Sequence, residues 1–199
     1  MWMLLLWLAV APFWQEKPVA EWNDIQLAQF LSDSPWAHAA TGAGKVQGPP
    51  VQTYLASGHL VEQAVTERAR RVALRRKQTT EDALAEEYHA WFEDNRASQV
   101  ILAIRVGNPT GFSEEGEIRH MQENSAMRFG RVKVKMSSYF PPTANDPYVR
   151  MAFPRDILVQ SAQPEKFLDF DLYLPGIASP FRTVEFAVQD LIVDGKADY

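Results

Sequence analysis

The chain contains no cysteine among its 199 residues, and this absence excludes several kinds of chemistry. Disulfides, thiol nucleophiles, cysteine-based zinc sites and a bacterial lipoprotein anchor all need a sulfur that the chain does not supply. We therefore predict a disulfide-free protein. The absence leaves open whether it works in a reducing or an oxidising compartment.

The sequence also lacks the H-E-x-x-H motif of zinc proteases and the G-x-S-x-G motif of serine hydrolases. Histidine is scarce, and the four that occur are His38, His59, His89 and His120. We interpret all four as surface or structural residues. The sequence accordingly predicts no catalytic residue, no cofactor-binding residue, no metal ligand and no cofactor.

One pattern favours an alternative. Glu86–His89 and Glu117–His120 both read Glu-x-x-His on predicted helices, which places both potential ligands on one helix face. Carboxylate-bridged di-iron bundles use two copies of this motif, together with a glutamate from each of two further helices. Here a predicted strand separates the two copies. A metal-dependent enzyme built on these helices, or on His59, stays as the alternative.

Net positive charge and a long apolar run are absent as well. The net charge of −5 argues against nucleic acid as a partner, because phosphate binding needs a positive field.

Residues 1–14, MWMLLLWLAVAPFW, carry no charge but are shorter than the roughly 20 residues of a membrane span. Ala9-Val10-Ala11 fits a signal-peptidase site, although no Lys or Arg precedes the apolar run. We predict a leader over residues 1–14 and export to the periplasm or beyond the cell. The alternative is a buried N-terminal segment.

What is present predicts a single α+β domain over residues 15–199. Its apolar fraction of 46% and charged fraction of 23% are those of an ordinary globular protein. Ala97–Val106, read as ASQVILAIRV, is the densest run of strand-forming residues. It separates a predicted helical half, residues 21–96, from a predicted sheet half, residues 97–199. We expect it to be an interior strand covered on both sides.

Within the helical half, apolar spacing predicts helices over Asp24–Leu31, His59–Lys77 and Thr79 to about Asp94, with a candidate strand at Val51–Ala56. The second of these helices ends in a basic run and the third is acidic, so we expect the two charge sets to neutralise each other. An acidic helix is predicted from Ser113. Beyond Arg128, alternating patterns predict four strands, around residues 132–136, 149–153, 168–174 and 184–188. We therefore predict an α+β fold in which helices pack on one face of an antiparallel sheet of about five strands.

Three stretches carry a resemblance: PVAEWNDIQLAQFLSDSPWA at Pro18–Ala37, YVRMAFPRD at Tyr148–Asp156 and FAVQDLIVDGKADY at Phe186–Tyr199. In this order they resemble a family of exported proteins found mainly in soil acidobacteria. That family has a leader, a W-x(n)-SPWA segment, an FPR motif and a terminal K-D-[ML]-x-x-x-G-K. Gln189 stands in place of the usual lysine, and Leu191 in place of the commoner methionine. The resemblance implies export and a single-domain build, but no functional site.

The Phe153-Pro154-Arg155 motif has two interpretations. A strand that ends in Pro-Arg positions a guanidinium at the rim of the sheet, where it could serve a site. The same arginine could instead bond a loop carboxylate or carbonyl.

For the whole chain, we expect an exported, non-enzymatic module that binds a protein or an envelope component. No nucleic acid is expected as a partner, and no membrane span apart from the leader.

Overall fold

The computed structural model describes residues 12–43, 48–76, 83–107, 110–143, 145–160 and 166–199. Most of the leader and the predicted helix start at Thr79 lie outside these residues. The α-helices are α1 (Phe13–Glu16), α2 (Asp24–Phe30), α3 (His59–Arg76), α4 (Ala83–Arg96), α5 (Glu115–Asn124) and α6 (Ile157–Gln160). Short 3-10 turns occupy Val19–Glu21, Thr110–Ser113 and Val188–Leu191.

The described residues contain eleven β-strands. They are β1 (Ala37–Gly42), β2 (Val51–Leu55), β3 (Gln99–Arg105), β4 (Ala126–Phe129), β5 (Val132–Lys135), β6 (Ser138–Phe140), β7 (Tyr148–Pro154), β8 (Phe167–Tyr173), β9 (Phe181–Ala187), β10 (Ile192–Val193) and β11 (Lys196–Ala197). The first nine form one antiparallel sheet in the order β5-β4-β8-β9-β1-β2-β3-β7-β6, and β10 pairs with β11 in a separate hairpin.

This sheet is curled into a half-barrel, and the chain itself shows why. β5 and β6 stand at opposite ends of the strand order, yet only Met136 and Ser137 separate them. Two linking residues span roughly 11 Å, whereas the edges of a flat nine-stranded sheet would lie about 38 Å apart. Met136 donates to the carbonyl of Ser125 beside β4, and Ser137 donates to that of Ala152 in β7. The linker thus joins the two edges.

The concave face of the sheet holds the core. Phe153 of β7 contacts Phe170 of β8 with ring centroids 5.2 Å apart, although several strands separate β7 from β8 in the sheet. Such a contact requires both rings to point into the curl. Register then assigns further buried side chains to the same face: Val100, Leu102, Ile104, Val149, Met151, Leu168, Leu172, Val184 and Phe186. The half-barrel is therefore filled by side chains.

The convex face differs from one side of the sheet to the other. Over β3 and β7 it is covered by α4, whose Tyr88 ring lies 3.9 Å from the guanidinium of the buried Arg150. Over β8 and β4 it carries charges, and Asp171 accepts hydrogen bonds from Arg128 at 2.7 Å and Lys133 at 2.9 Å. Basic side chains of β4 and β5 thus pair with an acidic side chain of β8 across the sheet.

Antiparallel pairing gives the half-barrel two distinct ends. At one end, here called the base, lie the starts of β1, β3 and β8 and the ends of β2, β7 and β9. At the other end, here called the mouth, lie the ends of β1, β3 and β8 and the starts of β2, β7 and β9. The two ends carry different side chains, and they define the candidate sites.

The prediction of about five strands with helices on one face is wrong. β1 lies inside the predicted helical half, where the candidate strand at Val51–Ala56 is confirmed as β2. β4 begins inside the predicted acidic helix, and β6 was not predicted. The helices also contact different parts of the structure: α4 contacts β3, α5 contacts β5 and β8, and α2 contacts α3. β1 was missed because its sequence, AHAATG, has little strand propensity. It is a strand because its two neighbours hydrogen-bond it.

The central prediction, an interior strand at residues 97–106, is confirmed. β3 pairs with β2 on one side and β7 on the other, and the residues from Val100 to Ile104 are fully buried. The expected neutralisation of α3 by α4 takes a different form. Arg71 and Arg75 of α3 pair with Asp24 of α2, and Glu62 of α3 pairs with Arg96 of α4.

Candidate functional site

The mouth of the half-barrel contains a cleft of about 620 Å³, a size typical of small-molecule sites. It forms where the start of β2, the end of β3 and the loops before β7 and β9 come together. Its lining includes Pro49, Pro50, Gln52, Pro147, Ile177 and two arginines, Arg105 and Arg182. None of the described residues that line it is acidic. The cleft is thus an apolar surface with two cationic side chains.

Arg182 is the innermost of these two arginines. It pairs with Leu172 and shares the concave face of β9 with Val184 and Phe186, so the strand alternation turns its side chain inward. Only 2% of the residue is exposed. An arginine cannot release its proton in a protein, so its charge remains although it is buried.

The guanidinium of Arg182 is only partly satisfied by the protein. Its Nη1 donates to the carbonyl oxygens of Ser179 and Phe181, which fixes the orientation of the planar group. Its Nε is buried and has no hydrogen-bond partner among the described residues. Its Nη2 lies so close to Gly48 that a β-carbon added there would overlap it. A side chain at position 48 would therefore have to displace the guanidinium from this place in the mouth.

Arg105 completes the positive field from the end of β3. Its side chain is exposed, and the structure shows no carboxylate within ion-pair distance of Arg105 or Arg182 in the part of the chain that it describes. Buried charges are normally paired, because an unpaired one keeps much of its desolvation cost. The mouth therefore has uncompensated positive charge at a concave surface.

The base of the half-barrel has a second cleft of about 630 Å³, in which His59, Gln63 and Asp198 bond one another or the backbone. Asp198 accepts hydrogen bonds from the backbone N–H groups of His59 at 2.5 Å and Leu60 at 3.2 Å. The imidazole of His59 bonds Gln63 at 2.9 Å and is 72% exposed. These contacts fasten the start of α3, and the other ring nitrogen of His59 lies 3.7 Å from the Glu62 carboxylate one helical turn away.

The base also brings together three stretches on which the family resemblance rests. Trp36 of the SPWA segment donates its indole N–H to the carbonyl of Asp198 at 2.6 Å. Arg155 of the FPR motif donates to the carbonyls of Tyr199, of Gln99 at 2.9 Å and of Arg96 at 3.3 Å. Its bonds support the structural interpretation of that arginine, and burial lowers its pKa.

The two Glu-x-x-His motifs do not assemble a metal centre. Glu86 and His89 lie on α4, which contacts β3, whereas Glu117 and His120 lie on α5, which contacts β5 and β8. Glu117 accepts a hydrogen bond from the Tyr173 hydroxyl at 2.9 Å. Within the described ranges, no three His, Asp or Glu side chains group in a way that could hold a metal ion.

The remaining histidine and the serine near His59 also have structural partners. His38 stacks on Phe186, and its Nδ1 lies 2.6 Å from the carbonyl of Glu185. The Ser57 hydroxyl accepts a hydrogen bond from the backbone N–H of Ile101 at 3.0 Å, so it ties the turn after β2 to β3. Neither residue faces a partner that would make it reactive.

Sequence reasoning missed Arg105 and Arg182. One signal was available for Arg182, because it is in phase with Val184 and Phe186 in the predicted strand and hence belongs to the buried face. No such signal existed for Arg105. Its proximity to Arg182 depends on the order in which β3, β2, β1 and β9 pair.

None of the described helices is both long enough and apolar enough to cross a membrane. Comparisons of the chain with protein-family models, with curated proteins and with solved structures gave no match.

Proposed function

We propose that the protein is an exported, non-enzymatic binding module that takes its ligand at the mouth of the half-barrel. The observation that carries the proposal is the cleft of about 620 Å³ lined by Arg105 and Arg182. The concave face below it is filled by packed side chains such as Phe170 and Phe153. A ligand is therefore expected to rest on the core, between the loops of the mouth, and not within the barrel.

The non-enzymatic part of the proposal follows from how the candidate reactive groups are used. His59 and Asp198 are bonded at the base, Ser57 anchors β3, and Glu117 bonds Tyr173. The mouth offers arginines, one glutamine and apolar side chains, but no general base or nucleophile among its described lining residues. This composition favours recognition over chemistry.

Export is proposed from the uncharged apolar segment that ends in Ala9-Val10-Ala11. Cleavage after Ala11 would leave Phe13 and Trp14 on the mature chain. These rings belong to the folded part, because Phe13 packs edge-on against Trp22 at 5.1 Å and Trp14 lies 5.9 Å from Phe30. We therefore propose a leader that ends at Ala11, three residues shorter than the one predicted over residues 1–14, so that the exported protein begins at Pro12 and keeps both aromatic contacts.

Two measurements test the proposal. Expression with the natural leader in a bacterial host, followed by fractionation and N-terminal sequencing, should give a periplasmic or secreted protein that begins at Pro12. Amide NMR of the full mature chain, titrated with a library of small fragments, should show shifts concentrated around the mouth. Shifts concentrated at the base, or conversion of a fragment into product, would refute the binding-module proposal; retention of the intact leader in the cytoplasm would refute export.

A further inference from the structure

We infer that the mouth cleft binds a small organic anion, whose carboxylate or phosphate head is attracted by the charges of Arg182 and Arg105 and whose apolar body contacts the proline-rich wall. The inference rests on the proposed function, because it names the ligand class of the same cleft. Among the described residues, neither guanidinium has a carboxylate within ion-pair distance, so an anion would supply the missing negative charge.

The fixed position of Arg182 places a permanent positive charge beneath the cleft. Its Nη1 is held by the carbonyls of Ser179 and Phe181, its Nη2 lies against Gly48, and its Nε is buried. Because only 2% of Arg182 is exposed, it attracts an oxyanion through its charge, whereas the exposed Arg105 can donate hydrogen bonds to the head group. A bound oxyanion would also offset part of the cost of burying this charge.

The rest of the lining indicates that the ligand is more than an inorganic ion. Pro49, Pro50, Val51, Pro147 and Ile177 form an apolar wall next to the arginines. Contact with these side chains removes apolar ligand surface from water, which contributes roughly 25 cal/mol per Å². A cleft of about 620 Å³ is also far larger than a phosphate ion needs.

The size and charge of the protein argue against a polyanion. Two arginines at a concave site neutralise one small anionic group, whereas nucleic acid needs a continuous positive track. The convex face of β8 and β9 instead presents Asp169, Asp171 and Glu185, and the whole chain carries a net charge of −5. Long-range repulsion thus opposes an extended polyanion and leaves a small anion as the ligand that fits.

Isothermal titration of the full mature chain with octanoate, octyl phosphate, octanol and inorganic phosphate tests this inference. Octanol lacks the anionic head group, and inorganic phosphate lacks the apolar body. Comparison of octanoate with octyl phosphate shows whether the cleft prefers a carboxylate or a phosphate head. We expect at least one of the two amphiphilic anions to bind at least tenfold more tightly than octanol and than inorganic phosphate. We expect this binding to weaken as sodium chloride is raised.

Three variants locate the effect. Arg105→Gln should weaken binding of the tighter anion by about fivefold to tenfold, because its exposed side chain provides one of the two charges. Arg131→Gln makes the same charge change at the β4–β5 turn, at the base of the sheet, and should leave the affinity unchanged. Arg182→Lys keeps the charge beneath the cleft and should therefore weaken binding less than Arg105→Gln does; circular dichroism and thermal melting show whether each variant is folded.

The outcomes separate this inference from the proposed function. If octanol shifts the mouth amides and binds as tightly as the anions, the mouth is a binding site but the anion inference is wrong. The inference is also wrong if inorganic phosphate matches both amphiphiles, or if Arg105→Gln and Arg131→Gln weaken binding equally. If none of the four probes binds, the inference fails, while the fragment titration still decides the proposed function.

Discussion

Removing the Asp198 carboxylate should destabilise the protein at the start of α3, where this carboxylate accepts hydrogen bonds from two backbone N–H groups. α3 begins at His59, and the carbonyl of Gly58 accepts the first intrahelical bond, from Glu62, at 2.9 Å. Gly58 occupies the N-cap position but has no side chain with which to cap. Asp198, 139 positions later in the chain than His59, supplies the missing acceptor. The change Asp198→Ala therefore uncaps α3 without touching it.

The structure limits the size of this effect. Two backbone N–H groups, of His59 and Leu60, lose a charged acceptor, and Asp198 itself is buried. Loss of an N-cap costs about 0.5–2 kcal/mol, and a buried charged acceptor places this one near the upper value. We expect about 2 kcal/mol, or a fall in Tm of about 4–8 °C for a chain of this size. Asp198→Asn keeps a capping oxygen and should lose about a quarter to a half as much.

Urea denaturation monitored by tryptophan fluorescence measures the effect directly, because Trp36 donates to the carbonyl of Asp198 and its surroundings change on unfolding. A shift in midpoint at constant slope would show a change in stability and not in the unfolded state. A capping side chain at position 58 itself could not replace Asp198 without a shift. A β-carbon at Gly58 would lie 3.0 Å from the carbonyl oxygen of Asp198 and 3.1 Å from the Trp36 ring. A free energy of unfolding of Asp198→Ala within about 0.3 kcal/mol of the parent's would refute the capping role of Asp198.

Three further changes test other parts of the fold. Phe170→Ala, in the fully buried centre of the concave face, should lower the free energy of unfolding by about 3–5 kcal/mol in urea denaturation; a cost below about 1 kcal/mol would show that this core is loosely packed. Arg155→Met leaves three backbone carbonyls without their donor and should cost about 3 kcal/mol, with Arg155→Lys recovering only part; equal stability of Met and Lys variants would contradict the role of the guanidinium. Burial and the facing Asp169 raise the pKa of Glu185, so its ionised form disfavours the folded state above that pKa. Glu185→Gln should therefore gain a few tenths of a kcal/mol at pH 7 and lose this gain as the pH falls below about 4.3, which paired denaturation curves at pH 7 and 4 would show; a larger gain at pH 4 would reverse the argument.

Strands with strong local signals were predictable from sequence, and those held by their neighbours were not. β3, β7, β8 and β9 carry dense apolar or alternating patterns, and each lies where the sequence places a strand. β1 has two alanines between His38 and Thr41, and a sequence of this kind has little intrinsic preference for a strand. It is a strand because β2 and β9 hydrogen-bond it on both sides.

β4 was hidden by composition. The segment SEEGEIRHMQENSAM reads as one acidic helix, but the helix ends at Asn124 and the last residues turn into β4. Ser125 marks the change, since its backbone is extended and its hydroxyl accepts a hydrogen bond from the Tyr173 backbone N–H at 3.1 Å. That contact lies 48 positions away in sequence, so no local pattern could indicate it.

The candidate site likewise combines a residue with a local sequence signal and one that only the tertiary structure reveals. Arg182 could have been assigned to the buried face from its phase with Val184, but its meaning as part of a positive mouth depends on Arg105. The two residues meet only through the strand order that places β1 and β2 between β9 and β3. At the base, likewise, the Trp36 and Arg155 motifs were visible in sequence, whereas their common target in the last two residues was not.

The linker between β5 and β6 has a consequence for how copies of this protein behave at high concentration. An exposed sheet edge is a template on which another chain can add a strand and begin an aggregate. Here the two edge strands contain only four and three residues, and β5 carries Lys133 and Lys135. Because Met136 and Ser137 draw the two edges together, each edge also lies beside the other part of the same sheet. The curl thus acts as a solubility device, and an insertion that lengthened this linker should promote self-association before it affected the core.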